Sequence, residues 1–186
     1  MVEMLLSFII PTFNSEKTIG QCLSSIPKQK DIEVIVIDNF SSDATLKICK
    51  KYGAKVYQVK STRGKARNYG VELSSGKYVM RLDSDEMISQ KMLIELMTKL
   101  KKSKPDLVLV PRIELGYWRR VREIINEHDG QYFYHKPYRN LFPMVFKREL
   151  FEKFRQSEKI QYGEDSEQLV RMAPYFKNSI VLGNSI

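Results

Sequence analysis

The stretch Lys77-Tyr78-Val79-Met80-Arg81-Leu82-Asp83-Ser84-Asp85-Glu86 decides how the chain is read. Its apolar half predicts a short buried strand, and that strand runs directly into two carboxylates, Asp83 and Asp85. In an extended segment positions i and i+2 share a face, so both carboxylates can point at one small volume. Two like charges so close repel unless a cation, ligand hydroxyls or hydrogen-bond donors stabilise them. Hard oxygen ligands of this kind suit Mg²⁺ or Mn²⁺, which keep coordination positions open for substrate phosphates. The alternative on these residues alone is a solvated acidic turn ahead of a helix capped at Ser89-Gln90.

Working outward, strands and helices alternate at short spacing. Leu5 to Ile10 is an apolar run ended by Pro11 and predicts a buried strand. Asn14 or Ser15 is placed to cap a helix whose apolar face is Ile19, Cys22, Leu23 and Ile26, stopped by Pro27. Ile32 to Ile37 predicts a second strand. Ser42 or Asp43 caps a helix from Ala44 to Tyr52, with Gly53 as its stop. Val56 to Val59 predicts a third strand, Gly64 to Leu73 a helix, and Tyr78 to Leu82 the next strand. This rhythm argues for a parallel, doubly wound sheet with helices on both faces. In such sheets ligands gather at the carboxyl ends of the strands. Three polar clusters fall at such ends: Thr12-Phe13-Asn14, Asp38-Asn39-Phe40-Ser41 and Asp83-Ser84-Asp85.

Beyond a helix from Lys91 to Leu100 the pattern changes. Strands are expected at Leu107 to Val110, Leu141 to Phe146 and Ile180 to Leu182. Helices are expected at Glu114 to Asn126, Glu149 to Phe154 and Glu164 to Met172. The first of these carries Leu115, Trp118, Val121 and Ile125 on one side. No linker or repeat divides the chain, so residues 1–186 are read as one domain, with a first half to about 105 and a second from about 106.

Bulk properties narrow the class. The chain has 186 residues, 42% hydrophobic, which suffices for one domain with a core and excludes a disordered chain. Its formal net charge of +9 favours anionic partners: nucleotide phosphates, nucleic acid or an acidic membrane face. Two cysteines, Cys22 and Cys49, make neither a disulfide framework nor a metal-ligand spacing. Cys22 belongs to a helix face and reads as packing. A reducing, cytoplasmic setting is expected. No apolar run approaches the roughly 20 residues that span a bilayer.

Five motifs, in order, resemble family 2 glycosyltransferases, which use the GT-A nucleotide-sugar fold. They are Ser7-Phe8-Ile9-Ile10-Pro11-Thr12-Phe13-Asn14, Val36-Ile37-Asp38-Asn39-Phe40-Ser41-Ser42-Asp43-Ala44-Thr45, Gly64-Lys65-Ala66-Arg67-Asn68-Tyr69-Gly70, Asp83-Ser84-Asp85, and Tyr162-Gly163-Glu164-Asp165 with Leu169 and Arg171. The resemblance implies a three-layer α/β/α sandwich around a mostly parallel sheet. It implies that Asp85 is the direct ligand of Mn²⁺ or Mg²⁺, while Asp83 faces the ribose or sugar of the donor beside the same ion. Pro11, Thr12 and Asn14 would line the nucleoside pocket, and Asp38 would accept a hydrogen bond from the base. The family commonly has a second Asp after Asp38; Asn39 stands there instead. Arg67 would serve phosphate or carbonyl oxygens, with Lys65 and Arg171 as looser basic candidates.

Inverting transfer needs a general base on the acceptor hydroxyl, opposite the departing nucleotide. The matched position is Asp165, with Glu164 beside it to orient the acceptor or tune the base. Both also suit a helix N-terminus, where negative charge is favoured. Neither His128 nor His135 falls at a matched ligand position, and neither is assigned to the metal. Trp118 with Arg119, Arg120 and Arg122 reads as packing plus a solvated basic face, or as a peripheral contact with the cytoplasmic membrane face.

The expected function is transfer of a sugar from a nucleotide-sugar donor, a UDP-sugar or GDP-mannose, to a glycan, lipid-linked or small-molecule acceptor. Two other readings stay open on the sequence: a non-catalytic nucleotide-sugar binder, and a nucleic-acid binder resting on charge and the aromatic-basic run Tyr132 to Arg139. The motifs favour the first reading, without a nucleic-acid partner.

Overall fold

The computed structural model describes residues 3–111, 113–114, 141–160 and 163–182. Leu6–Thr12 forms β1, with Ile32–Asp38 (β2) and Tyr78–Arg81 (β4) parallel on either side. Pro11 does not end the strand, contrary to the sequence expectation. The Ile9 carbonyl bonds Leu82 on the β4 side, and the Thr12 carbonyl bonds Asn39 on the β2 side. Alternation therefore turns Pro11 toward β4, whose pairing has already stopped at Ile9↔Arg81, so the missing N–H costs no ladder bond.

Lys55–Gln58 (β3) pairs parallel with β2. Leu107–Pro111 (β6), Leu141–Lys147 (β8) and Ser179–Val181 (β9) continue the sheet past β4. The full order is β3-β2-β1-β4-β8-β6-β9. Only β8 runs against its neighbours. A separate two-stranded ribbon joins Glu86–Met87 (β5) to Ile113–Glu114 (β7). Glu114 thus lies in a strand rather than at a helix start; the remainder of the helix expected to Asn126 lies outside the described residues.

Among the described residues the α-helices are α1 (Ile19–Ser24), α2 (Thr45–Tyr52), α3 (Arg63–Glu72), α4 (Gln90–Ser103), α5 (Arg148–Lys153) and α6 (Glu164–Met172). Period-two alternation along the strands divides the core into two sides. Leu6, Phe8, Ile10, Val36, Tyr78 and Met80 pack against Ile19, Cys22 and Leu23 of α1, Cys49 of α2 and Leu93 and Leu96 of α4. Ile9, Ile35, Ile37 and Val79 pack with Ala66 and Val71 of α3, Phe151 of α5 and Met172 of α6. Each large apolar side chain buried this way contributes roughly 1.5–3 kcal/mol relative to exposure. The result is the three-layer α/β/α sandwich expected from the sequence.

Local signals set the helix ends. Thr62 and Ser89 accept hydrogen bonds from the N–H groups of Lys65 and Met92 and cap α3 and α4. Gly53 closes α2 with φ 78°. Asn14 and Ser15, expected as caps of α1, do something else. α1 begins after Thr18, and Asn14 takes φ 46° while its Oδ1 accepts the Ser42 N–H at 2.9 Å. Asp43 accepts the Thr45 N–H at 3.0 Å from just outside α2. Among the described residues no helix is long and apolar enough to cross a membrane.

Candidate active site

The carboxyl ends of β1, β2 and β4 lie side by side, and the expected site residues stand there. At the end of β4 the chain turns: the Glu86 N–H donates to the Asp83 carbonyl at 3.0 Å, and Glu86 Oε2 accepts the Asp83 N–H at 3.1 Å. Asp83, Ser84 and Asp85 are all half-buried. The Ser84 and Ser15 hydroxyls meet at 2.9 Å, joining this turn to the β1 loop. From beneath, the Cys22 thiol donates to the Asp83 carbonyl at 3.6 Å. Burial, reinforced by Glu86, Asp83 and Asp85, pushes that thiol's pKa far up, so Cys22 stays a neutral packing group.

Arg67 connects this turn to the late acidic motif. Nη2 lies 2.7 Å from Asp83 Oδ1, and Nη1 lies 3.1 Å from Glu164 Oε1. Arg67 and Glu164 are both buried. Burial alone would lower the guanidinium pKa; Asp83 first, then Glu164 and Asp165, outweigh it and hold the pKa raised. Arg67 is therefore charged and bonds one carboxylate through each terminal nitrogen, bracing the two acidic segments, while its buried Nε has no hydrogen-bond partner.

A second buried guanidinium, Arg81, sits on the same face of β4. Its Nη1 donates to Gln168 Oε1 at 3.2 Å, and its Cζ lies 5.2 Å from the Phe146 ring centroid. Gln168 Nε2 in turn donates to the Phe154 carbonyl at 2.6 Å, so this one side chain ties α6 both to β4 and to the end of α5. Burial, helped by Arg67 nearby, pulls the Arg81 pKa down to about 9, against Asp165, Asp83 and Glu164. Sequence reading passed over Arg81 and Gln168. The usable signal was a charged residue inside an otherwise apolar strand, immediately before the acidic pair.

Asp165 stands half-buried in the first turn of α6, where the helix dipole favours a carboxylate. Its Oδ1 accepts the Ser166 N–H at 2.8 Å. It lies close enough to Arg67 and Arg81 to act on both charges. Asp83, Glu164 and Asp165 thus share one electrostatic cluster, with Asp85 two residues along the turn from Asp83.

Asp38, at the end of β2, is fully buried. Its carboxylate accepts the Ser41 N–H at 2.9 Å, the Ser41 hydroxyl at 2.5 Å and the Gln58 amide at 3.1 Å, so it organises its own loop. Thr12, beside it on β1, is buried, and its Oγ1 has no hydrogen-bond partner. Pro11 precedes it, and Asn14 is exposed. Lys65 is exposed on α3. Arg171 is tied to Glu167 Oε2 at 2.9 Å and to the Arg155 carbonyl at 2.6 Å, away from the acidic turn's partners. Asn68, in the α3 motif, clamps the segment before α6: its amide donates to the Gln156 carbonyl at 3.0 Å, and its Oδ1 accepts the Gln156 N–H at 2.9 Å. Tyr162, His128, His135 and Trp118 lie outside the described residues. Among the described residues no group of three or more His, Cys, Asp or Glu side chains is arranged to hold a metal ion.

Comparison with known proteins agrees with this geometry. The model of Glycosyl transferase family 2 matches residues 7–155. Poly(ribitol-phosphate) beta-N-acetylglucosaminyltransferase TarS of Staphylococcus aureus is 35% identical over 118 residues, covering 58% of this chain and 21% of TarS. TarP of the same species, with the same activity in its name, is 37% identical over 114 residues, 55% of this chain and 35% of TarP. Glycosyltransferase GlyA of Streptococcus pneumoniae is 30% identical over 143 residues, 73% of this chain and 19% of GlyA. The chain therefore spans about a fifth to a third of the length of these relatives. In structure, TarS 1-349 superposes with a TM-score of 0.78 at 24% identity, covering 98% of this chain and 59% of that one. Mannosyltransferase PcManGT of Pyrobaculum calidifontis, solved with GDP-Man and Mn²⁺, gives 0.67 at 19% identity over 96% of this chain and 55% of that one. These likenesses carry the fold, GT-A. Because the family model covers most of its length, this chain belongs to glycosyl transferase family 2.

Proposed function

We propose that this chain is the catalytic domain of an inverting glycosyltransferase that moves a sugar from a nucleotide-sugar donor to an acceptor hydroxyl. The observation that carries this reading is the Arg67 bridge, which ties the Asp83 turn to Glu164 and brings Asp165 into the same cluster. Donor and acceptor chemistry then share one cleft at the carboxyl rim of the sheet. Donor binding falls to the ends of β1 and β2: Pro11, Thr12, Asn14 and Asp38 around the nucleoside. Asp83, fixed by Arg67, faces the donor ribose or sugar.

The donor set at the β4 turn fits a hard divalent cation. Asp85, with Asp83 beside it, offers carboxylate oxygens, and the remaining positions of Mg²⁺ or Mn²⁺ are commonly taken by water and diphosphate oxygens. When bound, such an ion offsets negative charge on the departing nucleoside diphosphate. The protein's own part is to hold these oxygens in place from below through Arg67 and the Asp83–Glu86 turn.

Asp165 is assigned as the general base. A half-buried carboxylate in the first turn of α6, within electrostatic reach of two buried cations, can take the acceptor proton as the new bond forms. Glu164 is held by Arg67 and orients the start of α6. The acceptor-side half, from about residue 106, would set acceptor choice. Two relatives carry poly(ribitol-phosphate) in their names, and a chain of net charge +9 suits a polyanionic acceptor of that kind.

The test is donor turnover. Incubation with UDP-GlcNAc, UDP-glucose and GDP-mannose, each with Mn²⁺, should release nucleoside diphosphate from one of them, faster with acceptor present. No release from any donor, together with no melting-temperature rise in UDP, GDP, dTDP or CDP, would contradict the reading.

A further inference from the structure

Phe40 is held in a conformation that bulky L-residues rarely adopt, with φ 58°. The loop imposes this from both sides. Before it, the Asn39 N–H donates to the Thr12 carbonyl at 2.9 Å and Asn39 Oδ1 accepts the Ser61 N–H at 3.1 Å. After it, Ser41 gives its N–H and hydroxyl to Asp38 and accepts the Asn14 N–H at 2.8 Å. Glycine would fit such a turn without strain. The chain instead carries a phenyl ring there and leaves it 58% exposed.

The ring has company. Thr12↔Asp38 is the last pair of β1 and β2, and Phe13 and Phe40 emerge just beyond it. Phe13 is also 58% exposed. The two exposed rings, neither stacked on another ring among the described residues, stand just past the last pair of two neighbouring strands. Exposed aromatic surface there suits a flat ligand with a π-face, at the strand ends where ligands bind in such sheets.

We propose that Phe40 is a donor-binding residue, its ring offering, together with Phe13, apolar surface against which the nucleobase packs. The inference rests on the donor reading above and adds a role for a strained residue that this reading does not use. Backbone strain here is tolerated because it delivers a ring to the ligand.

Phe40→Asn separates strain from contact, since asparagine tolerates positive φ but offers no ring; Phe40→Tyr keeps the ring. Titration calorimetry would use UDP or GDP, whichever the wild type binds more tightly, with Mn²⁺, alongside melting of the unliganded proteins. Phe40→Asn should bind about tenfold more weakly, the order expected for loss of one base–aromatic contact, while Phe40→Tyr stays within about threefold of wild type. Unliganded Phe40→Asn should melt no lower than wild type. Equal nucleotide affinity in Phe40→Asn and wild type, which would leave the ring to a sugar or acceptor, overturns the proposal and leaves the donor reading standing. So does a lower melting temperature of unliganded Phe40→Asn, which would make the ring structural. A wild type that binds neither nucleotide overturns both.

Discussion

Arg67 and Glu164, 97 positions apart in the chain, meet in a buried ion pair with Nη1 3.1 Å from Oε1. Nη2 of the same guanidinium lies 2.7 Å from Asp83. One residue of α3 therefore sets the relation between the acidic turn after β4 and the first turn of α6. Its worth lies in geometry more than in stability, because desolvation offsets much of a buried pair's attraction. Removing one partner is different, since the other is left charged and buried.

Arg67→Met should accordingly destabilise the fold by about 3 kcal/mol, read as a lower urea midpoint. Arg67→Met combined with Glu164→Gln should recover part of that loss, because the stranded carboxylate is gone. Transfer should fall to background in both. A double variant no more stable than Arg67→Met would show that the pair is not coupled.

Much of the fold was legible because its signals are local. The apolar runs Leu5 to Ile10 and Ile32 to Ile37, the cap at Ser89, and Gly53 after α2 each depend on a few neighbouring residues. What escaped depends on partners far along the chain. Pro11 was read as a strand end because the early stop of β4 beside it is a tertiary fact. Asn14 was read as a helix cap because its tie to Ser42, 28 positions on, leaves no trace in the surrounding residues. The site divides the same way. Asp83, Asp85, Glu164 and Asp165 stood out as carboxylates in short motifs. Arg67 stood out in its motif as a candidate for phosphate or carbonyl oxygens; its ion pairs with Asp83 and Glu164, the second 97 positions away, were not legible. Arg81 and Gln168, which fasten α6 to the sheet, belong to no motif.

α3 can deliver Arg67 because it lies tight on the sheet. A Cβ on Gly70 would meet Cγ2 and Cδ1 of Ile9 in the middle of β1. Gly70→Ala should therefore cost about 1–3 kcal/mol despite alanine's better helix propensity, measured by chemical denaturation. A neutral or stabilising effect would mean the α3–β1 spacing is looser than described.

Acid stability should report on Glu33, a buried carboxylate within β2. Burial alone would raise its pKa, but the Lys55 ammonium, the Ser7 hydroxyl and the N–H and hydroxyl of Ser75 outweigh it and hold it at about 2, below the usual 4.5. Because the folded value is the lower one, the stabilisation is complete above about pH 4.5 and disappears as pH falls through about 2. The amount is about 2–3 kcal/mol. Comparing wild type with Glu33→Gln between pH 7 and pH 2 isolates it: the gap should shrink toward acid. A gap that stays constant would refute the assignment.

Asp85 is the proposed metal ligand, so Asp85→Ala should abolish the extra melting-temperature rise that Mn²⁺ adds to UDP or GDP, each variant being compared with its own unliganded form. Calorimetry giving the same Mn²⁺-assisted nucleotide affinity in variant and wild type would place the cation elsewhere.

The central claim is that Asp165 acts on the acceptor proton and not on donor binding, and Asp165→Asn tests it most directly. Asparagine keeps the size and the hydrogen-bond acceptor but cannot take a proton at neutral pH. Nucleoside diphosphate affinity should stay within a few-fold of wild type, the melting temperature should fall only slightly through the lost charge at the start of α6, and sugar transfer should drop by at least about a hundredfold. Transfer near the wild-type rate, or a loss of nucleotide affinity that matches the loss of turnover, would contradict it.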